Sequence, residues 1–394
     1  MTLPLPAISL YVHWPFCLAK CPYCDFNSHV AGDIDTEHWQ RALITDLERQ
    51  AEKAYQQLDI PQGQLALSSI FFGGGTPSLM PPSIIAALLD KAASLFQVAA
   101  DIEITAEANP TSAETAKLKG FRAAGINRLS LGIQSLRADG LDFLGREHSA
   151  KEALDALEQA AGIFPRWSAD LIYGLPEQSL QDWHAQLEEI SVYEPAHLSC
   201  YQLTIEPGTI FHNLHKKGAL LTADTDRVAD LYLLTEQQLQ EKGLYAYEVS
   251  NYAKEGHASA HNLNYWQTGN WLGIGPGAHG RLTTKQGRYN RINRRSPSGW
   301  LDAVDTAEGG LDTEAIETPQ DYFNEYWMMG LRLADGVNWP SPEQFGDSRL
   351  TLNSQWLNVF KKEEWLVATD SRLATTLEAV SYTHLRAHET EADL

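Results

Sequence analysis

Residues 10–29, LYVHWPFCLAKCPYCDFNSH, hold three of the four cysteines of the chain. Cys17, Cys21 and Cys24 follow one another in the spacing C-x3-C-x2-C. Three thiolates in one short loop can hold three irons of a cubic [4Fe-4S] cluster, because such clusters take soft thiolate ligands. The fourth iron is then left without a protein ligand. The spacing therefore predicts an iron–sulfur cluster with one open coordination position.

The alternative for these cysteines is a structural zinc site, which needs four ligands in a closed set. No fourth Cys and no pair of His residues follows at zinc spacing, although His13 and His29 flank the loop. An iron with an open position suits S-adenosylmethionine, whose amino and carboxylate groups can chelate it while the cluster delivers one electron. We therefore expect a [4Fe-4S] cluster and S-adenosylmethionine as cofactors.

The residues around the cysteines resemble the cluster loop of the radical S-adenosylmethionine superfamily. The bare cysteine spacing indicates only the superfamily, whereas YVHWPF before it and DFNSH after it resemble the coproporphyrinogen III dehydrogenase-like branch. In that branch the porphyrinogen-oxidising enzymes carry another Cys two residues after the third ligand, where this chain has Phe26. The version CDFNSH resembles that of the HemW-type heme chaperones.

Strand-like runs alternate with helical ones over most of the chain. We predict strands at residues 8–13, 68–72, 102–106, 128–132, 168–173 and 198–203. About six β/α units in series favour a parallel sheet with crossover helices. Six units are too few for a closed eight-stranded barrel. The predicted fold class is therefore α/β, with a partial, about six-unit β/α barrel of the radical S-adenosylmethionine type and a smaller C-terminal α/β domain.

The domain organisation is expected to change after the barrel. We predict the partial barrel with its HNxxYW region over residues 1–289, and a domain similar to that of HemW and its branch over residues 290–379. Residues 380–394 include SYTHLRAHET, which resembles translated sequencing-adapter sequence rather than native protein. The alternative for this tail is an ordinary disordered polar terminus.

A glycine motif follows the second predicted strand, in GGGTP at residues 73–77. Glycines allow the backbone to approach a ligand closely, although a plain tight turn would have the same composition. One β/α unit after the cluster loop, the motif resembles the one that binds the amino group of the methionine moiety. The resemblance implies that Gly74, Gly75 and Thr76 contact the cofactor.

Other polar residues lie at or just beyond the ends of later strands, on the rim where parallel barrels keep their chemistry. Each alone would be a solvated rim residue, but their positions match the nucleoside pocket of the branch. The resemblance implies that Glu107 binds the polar edge of the cofactor, Gln134 the ribose, and Asp170 the ribose or adenine side. Arg146 would bind the methionine carboxylate, which suits a planar, permanently charged guanidinium. Tyr11 and Tyr23 would contact adenosine beside the cluster.

Residues 261–266, HNLNYW, resemble the HNxxYW signature of HemW-type proteins. Heme needs an axial imidazole or thiolate and flat aromatic surfaces. His261 offers the imidazole, and Asn262, Tyr265 and Trp266 complete the expected heme contacts. The alternative is a loop histidine among core aromatic side chains.

Composition restricts the partners. The chain has 394 residues, 30 basic against 51 acidic, a formal charge of −21 and a pI near 5.0. This balance argues against nucleic-acid binding, which needs a basic face. No signal-like start and no run of ~18 apolar residues is visible. We expect a cytoplasmic protein that does not span a membrane, with a peripheral membrane contact left open.

The resemblance implies a HemW-type heme chaperone that binds the cluster, S-adenosylmethionine and heme, and delivers heme to respiratory hemoproteins. No residue is assigned a catalytic role, and cleavage of S-adenosylmethionine is left open. The alternative is an oxygen-independent coproporphyrinogen III dehydrogenase, against which Phe26 and the HNxxYW stretch count. A radical enzyme with an unrelated substrate is the third reading, since this barrel serves many chemistries.

Overall fold

The structure is a computed structural model and describes residues 5–30, 32–341 and 343–381. The predicted non-native tail, residues 380–394, lies almost wholly outside the described residues. The strands are β1 Ala7–Trp14, β2 Phe16–Cys17, β3 His29–Val30, β4 Ala66–Gly74, β5 Gln97–Ala108, β6 Arg128–Gln134, β7 Arg166–Tyr173, β8 His197–Gln202, β9 Tyr245–Glu248, β10 Asn251–Ala253, β11 Trp271–Ile274, β12 His279–Thr284, β13 Gly287–Asn293, β14 Leu311–Ile316, β15 Val337–Asn338, β16 Leu366–Ala368 and β17 Arg372–Thr375.

The helices alternate with these strands through the first two thirds of the chain. They are α1 Thr36–Leu58, α2 Pro82–Leu95, α3 Ser112–Thr115, α4 Leu118–Ala124, α5 Ala138–Phe143, α6 Ala150–Ile163, α7 Leu180–Ser191, α8 Ile210–His215, α9 Thr225–Glu241, α10 Ala260–Trp266, α11 Pro297–Val304, α12 Pro319–Gly330 and α13 Ser354–Lys362, with a 3₁₀ turn at Pro77–Leu79. The sequence pattern of residues 113–124 predicts a single helix, which is wrong, because the chain breaks at Ala116 and Lys117 between α3 and α4.

A twelve-stranded sheet forms the body of the described chain, in the order β14-β13-β12-β11-β1-β4-β5-β6-β7-β8-β10-β9. The six strands from β1 to β8 in this order are all parallel. They are the six predicted strands, so the partial barrel of about six units is confirmed. Strand β11 adds a further parallel partner to β1, and antiparallel strands extend both edges. The carboxyl ends of the parallel strands therefore share one rim.

Helix α1 shows why the helices pack against the sheet. The sequence predicts a helix over residues 36–58 capped by Asp35 or Thr36, and the helix begins there, because the Asp35 carboxylate accepts a hydrogen bond from the N–H of His38 at 3.0 Å. Trp39, Leu43 and Leu47 recur at helical spacing and belong to the same buried core as the outward side chains of β1. Burying each such side chain stabilises the fold by about 1.5–3 kcal/mol. The alternate side chains of β1 are then free to face the barrel interior.

A second hydrophobic cluster lies in the C-terminal part. It combines aromatic side chains of α12 with Val337, Phe345 and Leu373, beside the small sheet β15-β17-β16. The smaller C-terminal α/β unit of the predicted fold class is therefore present. The division at residue 289 stays a prediction. Strand β13 runs through that position and pairs on both sides within the large sheet.

Candidate cofactor site

The cluster loop leaves the end of β1 and is fastened by His13 and Asn27. His13 Nδ1 lies 3.0 Å from the Tyr11 hydroxyl, and Nε2 lies 2.9 Å from the carbonyl oxygen of Asn27. The side-chain amide of Asn27 donates to the carbonyls of Pro276 and Arg295, each at 3.0 Å. Burial lowers the pKa of His13 to about 4, so the ring is a neutral bridge at pH 7. These contacts fix where the three cysteines lie.

The glycine motif packs directly against the same loop. Gly74 has φ +116°, and a Cβ there would lie 2.8 Å from the His13 ring. A Cβ on Gly75 would lie 2.8 Å from the Phe16 carbonyl oxygen and 3.0 Å from Cys17 Sγ. The N–H of Gly75 also donates to the Trp14 carbonyl at 2.8 Å. Glycine is needed here because the two loops touch through their backbones.

One cavity of about 620 Å³ collects most of the predicted site residues at the rim. Of the predicted residues, its wall includes Cys17, Cys21, Cys24, Tyr23, Gly75, Thr76, Glu107, Gln134, Arg146 and Asp170. Phe26 also lines it, and 57% of that side chain is exposed. Sequence positions more than 150 residues apart thus meet in one concave site, as their placement after parallel strands predicts.

Several polar atoms of this wall are buried without a hydrogen-bond partner among the described residues. They include Gln134 Oε1, Gln202 Oε1, Arg146 Nε and Arg332 Nε. A buried polar group left unpaired costs about 1–3 kcal/mol, so a ligand that pairs with it recovers that cost. Gln134 also has φ +65°, an uncommon conformation for a residue with a side chain. The wall has the properties of a polar ligand site.

Two carboxyl groups, Glu107 and Asp170, line the wall. Burial, with a smaller contribution from the Asp170 carboxylate, raises the pKa of Glu107 to about 8, although a hydrogen bond from the Gly74 N–H opposes the rise. Burial raises the pKa of Asp170 as well, although Ser130 Oγ donates to it at 3.0 Å. A protonated Glu107 becomes a carboxylate when a cation approaches. This pair therefore suits the positive charges of an amino or sulfonium group.

Arg146 bridges the cysteine loop and the rim. Its Nη1 lies 3.4 Å from Cys21 Sγ, and its Nη2 donates to Asn109 Oδ1 at 2.5 Å and to the Gly132 carbonyl at 3.0 Å. The guanidinium thus lies beside a sulfur of the predicted cluster loop. Asn109 was not predicted, although its position in EANP directly after a strand was a usable signal.

The predicted cofactors match the donors present. The three cysteine thiols are free and share one wall of the cavity. Across residues 5–30, 32–341 and 343–381, no group of three or more His, Cys, Asp or Glu side chains is placed to hold a single metal ion. Three thiolates beside an open space meet the needs of a four-iron cluster.

The HNxxYW residues lie elsewhere, in α10 inside the barrel. His261 is buried, with Nδ1 2.8 Å from Ser69 Oγ and Nε2 2.8 Å from the Tyr265 hydroxyl. Its ring stacks on Phe71 at 5.1 Å between centroids. None of the four motif residues His261, Asn262, Tyr265 and Trp266, nor Tyr11 or Gly74, lines the cavity. Heme contact by this motif stays a prediction, and axial ligation requires one ring nitrogen of His261 to give up its hydrogen bond.

Comparison with known proteins places the chain in a family. The model of the radical SAM superfamily matches residues 11–190. The chain is 40% identical to the heme chaperone HemW of Escherichia coli, over 81% of this chain and 82% of that protein, and 42% identical to HemW of Haemophilus influenzae, over 84% of each. It is also 40% identical to the mitochondrial radical S-adenosyl methionine domain-containing protein 1 of Bos taurus, over 87% of this chain and 77% of the relative.

A solved structure has the same fold. Coproporphyrinogen III oxidase (HemN) of Escherichia coli superposes with a TM-score of 0.77 and 22% identity, over 96% of this chain and 88% of that one. At this identity the likeness concerns the fold alone. The described helices include none long and apolar enough to cross a membrane. With the cysteine loop, the rim motifs and relatives at 40% identity over four fifths of their length, the chain belongs to the HemW family of the radical S-adenosylmethionine superfamily.

Proposed function

We propose that this chain is a heme chaperone that binds a [4Fe-4S] cluster, S-adenosylmethionine and heme, and delivers heme to respiratory hemoproteins. The observation that supports it is a cavity lined by Cys17, Cys21 and Cys24 together with most of the predicted rim residues. The chain's membership of the HemW family supports heme as the cargo. Cytoplasmic location, and the acceptor protein, stay predictions.

The side chains of the wall divide the binding tasks among them. The three thiolates would hold the cluster, which, when bound with S-adenosylmethionine, supplies one-electron chemistry at its open iron. Arg146 would attract the methionine carboxylate, and Glu107 the amino group or sulfonium. Gln134 and Asp170 would bind the ribose hydroxyls, since both are hydrogen-bonding groups on the neighbouring strands β6 and β7 and line the same cavity. The close approach of Gly75 to Cys17 fixes the position of the glycine motif relative to the cluster loop.

The remaining wall offers space for a second, larger ligand. Ile172, Tyr201 and Leu203 supply apolar surface at the ends of β7 and β8, beside the polar Gln202 and Thr204. A flat aromatic or tetrapyrrole ligand needs such a mixture of apolar area and few polar contacts. Heme uptake into this part of the cavity is therefore our proposal for the cargo site.

The deciding experiment compares two tetrapyrroles under anaerobic conditions. Protein with a reconstituted cluster is incubated with S-adenosylmethionine and, separately, with heme or coproporphyrinogen III. We expect heme uptake, seen as a Soret band that co-elutes with the protein, and no formation of vinyl porphyrinogen product. Phe26→Cys, which creates the thiol position of the dehydrogenases, should also give no product. Turnover of coproporphyrinogen III by the wild type would contradict the chaperone function and support the dehydrogenase function instead.

A further inference from the structure

Arg332 enters the cavity from the C-terminal unit, after the last turn of α12. Its segment pairs with β9, because the carbonyl of Arg332 accepts from the Val249 N–H at 3.2 Å and the Ala334 N–H donates to the Tyr247 carbonyl at 3.1 Å. Leu333 forms an antiparallel bridge with Glu248 between these two bonds. The backbone that carries Arg332 is thus fixed to the large sheet.

The Arg332 side chain is held by two further contacts. Its Nη2 donates to Oε2 of the buried Glu248 at 3.0 Å, and its guanidinium carbon lies 4.6 Å from the ring centroid of Trp266. A cation over a tryptophan face is attracted by the ring quadrupole. The ion pair occupies one of the three guanidinium nitrogens. Nε has no partner among the described residues, and 33% of the side chain remains exposed where Arg332 lines the cavity.

The position of Arg332 separates it from the other cations of the wall. Arg146 is already engaged with Asn109 and the cysteine loop, and Lys20 lies on that loop and donates to the Phe26 carbonyl at 3.3 Å. Arg332 instead joins the wall beside Ser250, at the far end of the parallel run from β1. A fixed planar guanidinium with free donors is the group that best binds a carboxylate.

We infer that Arg332 binds a carboxylate of the ligand that occupies this end of the cavity. The identity of that carboxylate rests on the proposed function: it is a propionate of heme. Glu248 and Trp266 are positioning residues, because they orient the guanidinium and do not line the cavity. This gives the tryptophan of HNxxYW a role through Arg332 rather than through stacking on heme.

The test compares heme with its dimethyl ester, in which both propionates are uncharged. Binding of each is titrated by absorbance to the full chain with its cluster. Arg332→Gln alone would leave the buried Glu248 unpaired and could unfold the protein. We therefore use the double variant Arg332→Gln/Glu248→Gln, together with Arg332→Lys, which keeps a cation for Glu248. Arg349→Gln, at an exposed arginine paired with Asp347, is the matched control.

We expect wild type and Arg349→Gln to bind heme more tightly than the ester by about ten- to a hundredfold, the value of one charge-assisted contact. The double variant should bind the ester as wild type does and show no preference for heme, and Arg332→Lys should keep part of the preference. A wild-type preference that survives in the double variant, or wild type that binds both ligands equally, would overturn the assignment of Arg332. Absence of any heme uptake by wild type would overturn the proposed function and this inference with it.

Discussion

His261 Nε2 and the Tyr265 hydroxyl lie 2.8 Å apart, one helical turn from each other in α10. The other ring nitrogen contacts Ser69 on β4, so the imidazole joins the helix to the sheet. Burial lowers the pKa of His261 to about 3, and the ring stays neutral throughout the working pH range. In this arrangement both ring nitrogens of the HNxxYW histidine are hydrogen-bonded, so neither is free to bind iron.

This arrangement predicts a structural effect of His261→Ala. Removing a buried ring that two hydroxyls contact should destabilise the fold by about 2–4 kcal/mol. The heme that the variant takes up should keep the wild-type Soret maximum. Thermal unfolding and absorbance spectra measure the two effects. Tyr265→Phe, which keeps the ring and removes one hydroxyl, should be milder and spectrally unchanged. A shifted Soret band in His261→Ala with an unchanged melting temperature would identify His261 as a ligand instead.

The cluster should depend on the loop cysteines alone. We expect anaerobically purified wild type to be brown and to contain close to four irons and four sulfides per chain, as a [4Fe-4S] cluster requires. Cys21→Ala should lose most of this iron. Cys200→Ala is the matched control, since Cys200 is buried in β8 away from the loop. Its iron content should equal that of wild type, and equal iron loss in both variants would refute the assignment.

The glycine motif yields a prediction about close packing. In Gly75→Ala the new Cβ would meet the backbone of Pro15 and Phe16 within 2.9 Å, so the cluster loop must move. We expect lower iron incorporation and weaker S-adenosylmethionine binding. Gly162→Ala is the control, because a Cβ at this position in α6 meets nothing within 4 Å. Alanine there should stabilise the helix by about 0.5–1 kcal/mol. Wild-type iron content in Gly75→Ala would contradict the packing argument.

The raised pKa of Glu107 has a consequence for stability. Between the ordinary pKa of about 4.5 and the folded value of about 8, the native state without ligand holds a proton that the unfolded chain has released. The stability of the wild type should therefore fall as pH rises through this window. Glu107→Gln removes the effect, so its melting temperature should exceed that of wild type by at least about 2 °C at pH 8.5 and converge with it near pH 4.5. A pH-independent difference would show that Glu107 does not titrate in this window.

The fold and the rim were predictable from local signals. Each parallel strand is a short apolar run followed by a distinctive polar or glycine residue, and parallel topology then brings those residues to one edge. Gly75 and Glu107 could be placed in this way without any knowledge of their contacts. Helix α1 was predictable for the same reason, because its capping residue and its apolar spacing both lie within one short stretch of sequence.

The barrel interior and Arg332 were not predictable in this way. Ser69 and His261 are 192 positions apart, and Glu248 and Arg332 are 84 apart. Their pairing depends on how separate segments pack, which no local pattern encodes. HNLNYW looked like a ligand site because its composition suits heme. In the structure His261 packs between two hydroxyls, a placement that its sequence neighbours did not indicate, and heme contact by the motif stays a prediction.

Transfer of heme to an acceptor tests the chaperone account most directly. Protein with a reconstituted cluster is loaded with heme, separated from free heme, and mixed with the heme-free form of a respiratory hemoprotein. A parallel sample receives serum albumin as a non-specific scavenger. The account predicts that the acceptor gains its heme spectrum and activity, faster than albumin extracts heme, while the donor loses its Soret band. Heme that stays on the donor, or leaves for both recipients at the same slow rate, would contradict it.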